Sequence, residues 1–183
     1  MKTHATGIAL IALTLWCGPA MAQTAPSDCV LALLAQRDAR FATLQDQIAD
    51  VVARAHPELR EVADAAAEAQ VAMRATSTRR LIHLIGTRPA LLSPSQTLHG
   101  LANLALSEEE LVGLRAADPG FAAIEAKREA ALARSAAMPG MDRLREAVAE
   151  AVQDPEGLAP VLEEFASANA MLERDYVACF DEG

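Results

Sequence analysis

Residues 27–57 read SDCVLALLAQRDARFATLQDQIADVVARAHP, and this stretch decides the fold. Val30, Leu34, Arg37, Phe41, Leu44, Ile48, Val51 and Ala55 recur at alternating spacings of four and three, which places them on one face of a helix. The stripe is apolar except at Arg37. Ser27 or Asp28 supplies the N-terminal cap, and the helix runs for roughly 27 residues, about 40 Å at a rise of 1.5 Å each. His56-Pro57 ends it. Proline lacks the amide donor and pushes the preceding residue out of helical geometry, yet it suits the first turn of a new helix.

A second long helix is therefore expected from about Pro57 to Ile85. Leu59, Val62, Ala66, Ala69 and Met73 continue a face on it, with small side chains that let a partner helix approach closely. The two long helices form either a hairpin or a kinked rod. Gly86 followed by Thr87-Arg88-Pro89 closes the second one, and shorter, well-punctuated elements follow. Ser93-Pro94-Ser95-Gln96 and Ser107-Glu108-Glu109-Glu110 both match the capping box and predict helix starts. Asp118-Pro119 and Asp154-Pro155 each pair a capping acid with proline at the first helical position, predicting helices over about 119–137 and 155–180. Met138-Pro139-Gly140 separates the first of these from a helix at about 141–153. In the last helix Val161, Phe165, Ala168, Leu172, Tyr176 and Cys179 share a stripe. With no strand-like alternation and no internal repeat, the expected fold class is all-α: a helical bundle with a long N-terminal helical hairpin or kinked rod and several shorter helices.

Upstream of this pattern, Met1-Lys2, the apolar run from Gly7 to Trp16 and the Ala20-Met21-Ala22 end have the three-part layout of a secretory signal peptide. Residues 1–22 then form a leader and 23–183 a single helical domain, a size that fits one core. The run is far short of the roughly 18–20 residues that span a bilayer. Trp16 before Cys17 disfavours lipoprotein processing, and no Arg-Arg pair precedes the run, which disfavours the twin-arginine route. A periplasmic or secreted location is expected, with no transmembrane segment after cleavage. Cys29 and Cys179 are the cysteines that survive, and an even pair in an oxidising compartment is read as a disulfide. It would close a loop of about 150 residues, for which the chain-entropy model gives on the order of 5 kcal/mol.

The formal net charge is −9, and the positive charges are scattered among carboxylates, which disfavours nucleic acid and anionic lipid as partners. Alanine accounts for about forty residues and promotes helix strongly while burying little surface. Phe41, Phe121, Phe165, Tyr176 and Phe180 are too few aromatics for a base-stacking platform.

His56, His83 and His99 lie out of helical reach of one another, so no zinc or haem motif is formed, and no cofactor is expected. Met138 and Met141 are a local pair of thioethers, the ligand type that selects Cu(I), although methionine at a helix junction also fills irregular gaps in a core. No Gly-x-Ser-x-Gly elbow and no phosphate-cradling glycine loop occurs, and Glu108, Glu109 and Glu110 are explained by the positive end of a helix dipole.

Leu92-Ser-Pro-Ser-Gln96 resembles the short Leu-Thr-x-x-Gln element of small exported helical stress chaperones, and Leu106-Ser-Glu-Glu-Glu110 is a looser echo. The likeness is confined to these two pentapeptides and implies a chaperone-like binder. The functional expectation is a non-catalytic exported binding or scaffold protein, engaging a protein partner or a second copy through apolar helix faces, with Leu34, Phe41, Leu44 and Ile48 as contact residues. The alternatives are a copper-handling protein using Met138 and Met141, or an enzyme of unrecognised type.

Overall fold

The apolar stripe that begins at Val30 closes against the helix that follows it. The structure, a computed structural model, describes residues 26–181; the expected leader, residues 1–22, and with it Cys17, lies outside them. Helix α1 spans Pro26–Ala55 and a short 3-10 turn, Pro57–Leu59, leads into α2, Arg60–Thr87. His56 holds a non-helical backbone (φ −131°, ψ 76°), as a residue before proline must. Asp50 pairs with Arg60 at 2.6 Å near that turn, and Asp38 with Arg74 at 3.0 Å further along. The pairing order makes α1 and α2 an antiparallel hairpin, which excludes the kinked rod.

The remaining elements are a 3-10 turn at Pro89–Leu91, α3 (Leu98–Ala102), α4 (Glu108–Ala117), α5 (Pro119–Ala137), α6 (Met141–Gln153) and α7 (Ala159–Ala178). The described residues contain no strand, and the protein is an all-α helical bundle. Helix α5 runs antiparallel to α2, held by Arg79–Asp118 at 2.6 Å, Arg80–Glu125 at 3.2 Å and an Arg134–Glu68 ion pair. Helix α7 runs antiparallel to α1: Arg40 Nη1 donates to the Ala168 carbonyl at 2.8 Å, and a Cys29–Cys179 disulfide joins the ends with a Cα–Cα distance of 5.8 Å. Helix α6 closes the turn end of the hairpin, where Leu144 and Ala147 pack on Val52, Leu59 and Val62.

The buried interior is divided. At the disulfide end, Leu34, Leu81, Ile85, Leu98, Leu172 and Tyr176 form a bulky cluster, with Phe180 edge-on to Tyr176. Tyr176 is fully buried, and its hydroxyl donates to the Ser93 carbonyl at 3.0 Å; burial raises its pKa above the ordinary tyrosine value. Leu84, Leu106, Leu114 and Phe121 form a second cluster under α4. The turn-end cluster draws on Ala49, Ala63, Ala67 and Ala147. Between the ends, Ala69 and Ala72 of α2 meet Ala131 of α5, so the close approach that the small face of α2 invites is made from within the chain.

The expected caps hold at Ser107, whose hydroxyl and the Glu110 carboxylate form the reciprocal capping box, and at Asp118, which accepts from the Phe121 amide at 3.2 Å. Two helix starts differ from expectation. Ser93 caps nothing: its hydroxyl pairs with that of Ser95 at 2.8 Å, and α3 begins later, with Thr97 as its cap. The Glu173 carboxylate of α7 accepts the Leu98 and His99 amides at 2.7 and 2.8 Å and so completes that helix start from a distance. Asp154 accepts from the Glu156 amide at 3.0 Å in a turn, and α7 starts only at Ala159. Leu158 draws the start back, because its side chain is 1% exposed and its amide donates to Ala151 O at 2.7 Å.

Candidate functional site

Helix α2 is flanked by α1 on one side and α5 on the other, and the height of its side chains between them sets the depth of the channel. Those side chains are small. Ala67, Val71, Ala72 and Ala75 form the floor, Ala42 of α1 and Ile124 of α5 the apolar walls, and the groove encloses about 540 Å³. Its rim carries Asp46 of α1, Asp64 and Glu68 of α2, and a lone cation, Lys127 of α5. Two of the acids are partly neutralised, Asp64 by Arg60 at 3.6 Å and Glu68 by Arg134. Asp46 makes no ion pair among the described residues. A hydrogen bond to Asp50 raises the Arg60 pKa above its ordinary value, so that guanidinium stays charged and faces away from any role as an acid.

A smaller cleft of about 210 Å³ lies on the opposite flank of α1, against α7, where Leu44, Val161 and Phe165 meet beside Arg40 and Glu164. The two depressions bracket the middle of α1. A third cleft, of about 430 Å³, lies at the turn end of that helix, where Val51, Ala55 and His56 face Ala147 and Ala151 of α6.

The four residues expected to contact a partner are dispersed. Leu34 is 1% exposed inside the disulfide-end cluster, and Leu44 is 6% exposed beside the smaller cleft. Phe41 is half-buried, with the Arg74 guanidinium over its ring at 5.3 Å, and Ile48 is half-buried. None of the four lines the larger groove. Met138 and Met141 are both half-buried against the turn-end cluster, with Met141 Sδ 3.9 Å from the Ser135 hydroxyl. Among the described residues, no group of three or more His, Cys, Asp or Glu side chains is placed to hold a metal ion.

The most buried carboxylate, Glu125, is structural in its contacts. Arg115 donates to both of its oxygens at 2.7 and 3.2 Å and Arg80 donates to one at 3.2 Å, tying α4, α5 and α2 together. The hydrogen bonds from Arg115 hold its carboxyl below the ordinary glutamate pKa, opposed by burial. Such a group stays ionised and is unsuited to proton transfer near neutral pH.

Comparison with protein-family models, curated proteins and solved structures finds no match. The site therefore rests on its own geometry. Its floor residues stand out weakly in the sequence because alanine carries little hydrophobic signal of its own. One signal was available: Ala67, Val71 and Ala75 recur every fourth residue, a stripe adjacent to Ala69, which meets Ala131 of α5.

Proposed function

We propose that the protein is a non-catalytic, exported helical binding protein that seats an amphipathic helix of a partner protein in the α1–α2–α5 groove. The observation that carries this reading is the combination of an alanine-lined floor with a rim of three carboxylates and one lysine. A floor of small side chains leaves room for bulky aliphatic residues projected from a guest helix, the i, i+4 mode of groove recognition. Arginine or lysine on the guest's flanks would meet Asp46, Asp64 and Glu68. A second copy of this chain would bring the same acidic rim to the interface, so the charge pattern favours a different protein. The disulfide, and the finding that no helix among the described residues is long and apolar enough to cross a membrane, are compatible with export.

A pair of synthetic amphipathic helices with the same leucine face, one flanked by arginine and the other by glutamate, tests the proposal by fluorescence anisotropy. The arginine peptide should bind and weaken as salt is added. Ala75→Phe, which fills the groove, should reduce its affinity about tenfold or more, and Asp46→Lys should lower both affinity and salt dependence. Equal binding of the two peptides, or no effect of Ala75→Phe, would discard the groove as the site. Sedimentation of a wild-type dimer that Ala75→Phe dissociates would replace the foreign helix with a second copy.

A further inference from the structure

Arg37 is the position at which the apolar stripe of α1 is interrupted, and the structure shows where its side chain goes. It lines a cavity of about 180 Å³ between α1, α2 and α3, together with Arg74, Thr78, His99 and Asn103. Its Nη1 donates to the Leu98 carbonyl at 3.3 Å. Among the described residues no carboxylate oxygen comes within the 4.0 Å of an ion pair with it. The two nearby acids are engaged elsewhere. Asp38 Oδ1 accepts from Arg74 Nε at 3.0 Å and from the Thr78 hydroxyl at 2.9 Å. Both Glu173 oxygens accept backbone amides at the start of α3.

The cavity thus holds one guanidinium without an ion-pair partner among the described residues, Arg37, and a second, Arg74, that is paired with Asp38. Burial, and after it the Arg74 charge, lowers the Arg37 pKa, opposed by the nearby Glu173 and Asp38 charges. Arg74 is fixed by Asp38 and by its position over Phe41, so its remaining N–H donors are pre-organised. A guanidinium fork matches the paired oxygens of phosphate, sulfate or carboxylate. The volume corresponds to about six waters at liquid density, enough for one such ion and too little for a peptide segment.

We propose that this cavity binds a small oxyanion, with Arg37 and Arg74 as the cationic walls and Asn103 and His99 completing the polar lining. The site is separate from the groove and independent of the partner reading.

Isothermal titration of the oxidised protein with inorganic phosphate, sulfate and acetate at low ionic strength tests it. At least one anion should bind saturably at one site per chain, and the arms separate a tetrahedral oxyanion from a carboxylate. Arg37→Gln should weaken binding about tenfold or more, the loss expected for one charge-assisted hydrogen bond. Arg37→Lys, which keeps the charge and loses the fork, should fall between. Should Arg37→Gln fail to fold, Arg37→Lys and the exposed Asn103→Ala carry the test, each expected to weaken binding severalfold with an unchanged circular dichroism spectrum. Absence of binding by all three anions overturns the proposal. So does wild-type affinity in the folded Arg37 variants.

Discussion

The two ends of the α1–α2 hairpin are built from different side chains. At one end Leu34, Leu81, Leu172 and Tyr176 interlock beneath a disulfide. At the other, Ala49, Ala63, Ala67 and Ala147 let α1, α2 and α6 approach closely around a few larger residues. Bulky side chains remove much apolar surface from water, at about 25 cal/mol per Å², whereas alanine removes little. The first end therefore gains more from each side chain it buries. The second relies on helix propensity and on the short reversal at His56-Pro57. Between them the alanine floor of α2 remains low, and the groove is the consequence.

The largest test of this division is to break the covalent link. Reduction, or Cys29→Ser with Cys179→Ser, should cost up to about 5 kcal/mol in the chain-entropy model, comparable to the stability of a whole domain. Denaturant melts with and without reductant measure it, with intact mass confirming two masked thiols. A melt indifferent to reduction would show that the bulky cluster holds this end unaided.

Opposite substitutions then distinguish the two ends. Leu172→Ala should destabilise by about 2–5 kcal/mol through lost burial and a residual cavity. At the alanines of the turn end truncation has little left to remove, and enlargement is the harmful change. Ala63→Leu should cost about 1–3 kcal/mol by overpacking. If Ala63→Leu were neutral in thermal melts, the turn end would be loosely packed and the contrast between the two ends sharper still.

The Glu125 network on α4 and α5 offers a test by pH. Its folded-state pKa is depressed, chiefly by Arg115, so its contribution is present above the unfolded glutamate pKa and is lost as pH falls through the folded value. Wild-type stability should drop across that acidic window. Glu125→Gln should start less stable at neutral pH and show a shallower acid dependence there. Parallel slopes for the two proteins would remove this carboxylate from the acid response.

The smallest effect is expected at the turn end. Met138→Leu combined with Met141→Leu conserves volume and should cost under about 1.5 kcal/mol in a melt. Loss of stoichiometric Cu(I) binding in that double variant would instead assign the thioethers to a metal.

What was legible in the sequence is what neighbours within a turn or two of helix decide. The stripe from Val30 to Val51 and the break at His56-Pro57 carried the two long helices, and the Ser107 and Asp118 caps carried α4 and α5, because a capping side chain acts on amides two or three residues away. The Cys29–Cys179 bond was readable because these were the cysteines outside the expected leader. The candidate groove was far less legible. The hydrophobicity that marks Leu34 and Leu44 in the sequence is the same property that buries them, while the alanines that form the floor carry almost no individual signal.

Long-range packing settled the rest. Glu173 reaches α3 from 74 positions away in the chain to accept the His99 amide, and Leu158 delays α7 because it is needed under the end of α6. No local pattern encodes either contact. The choice of hairpin over rod, the alanine face of α2 covered by α5 and the adjacent face left open are likewise decisions of the assembled bundle. A helix side chain's direction follows from its place in the turn, but its exposure follows from which other helix arrives there.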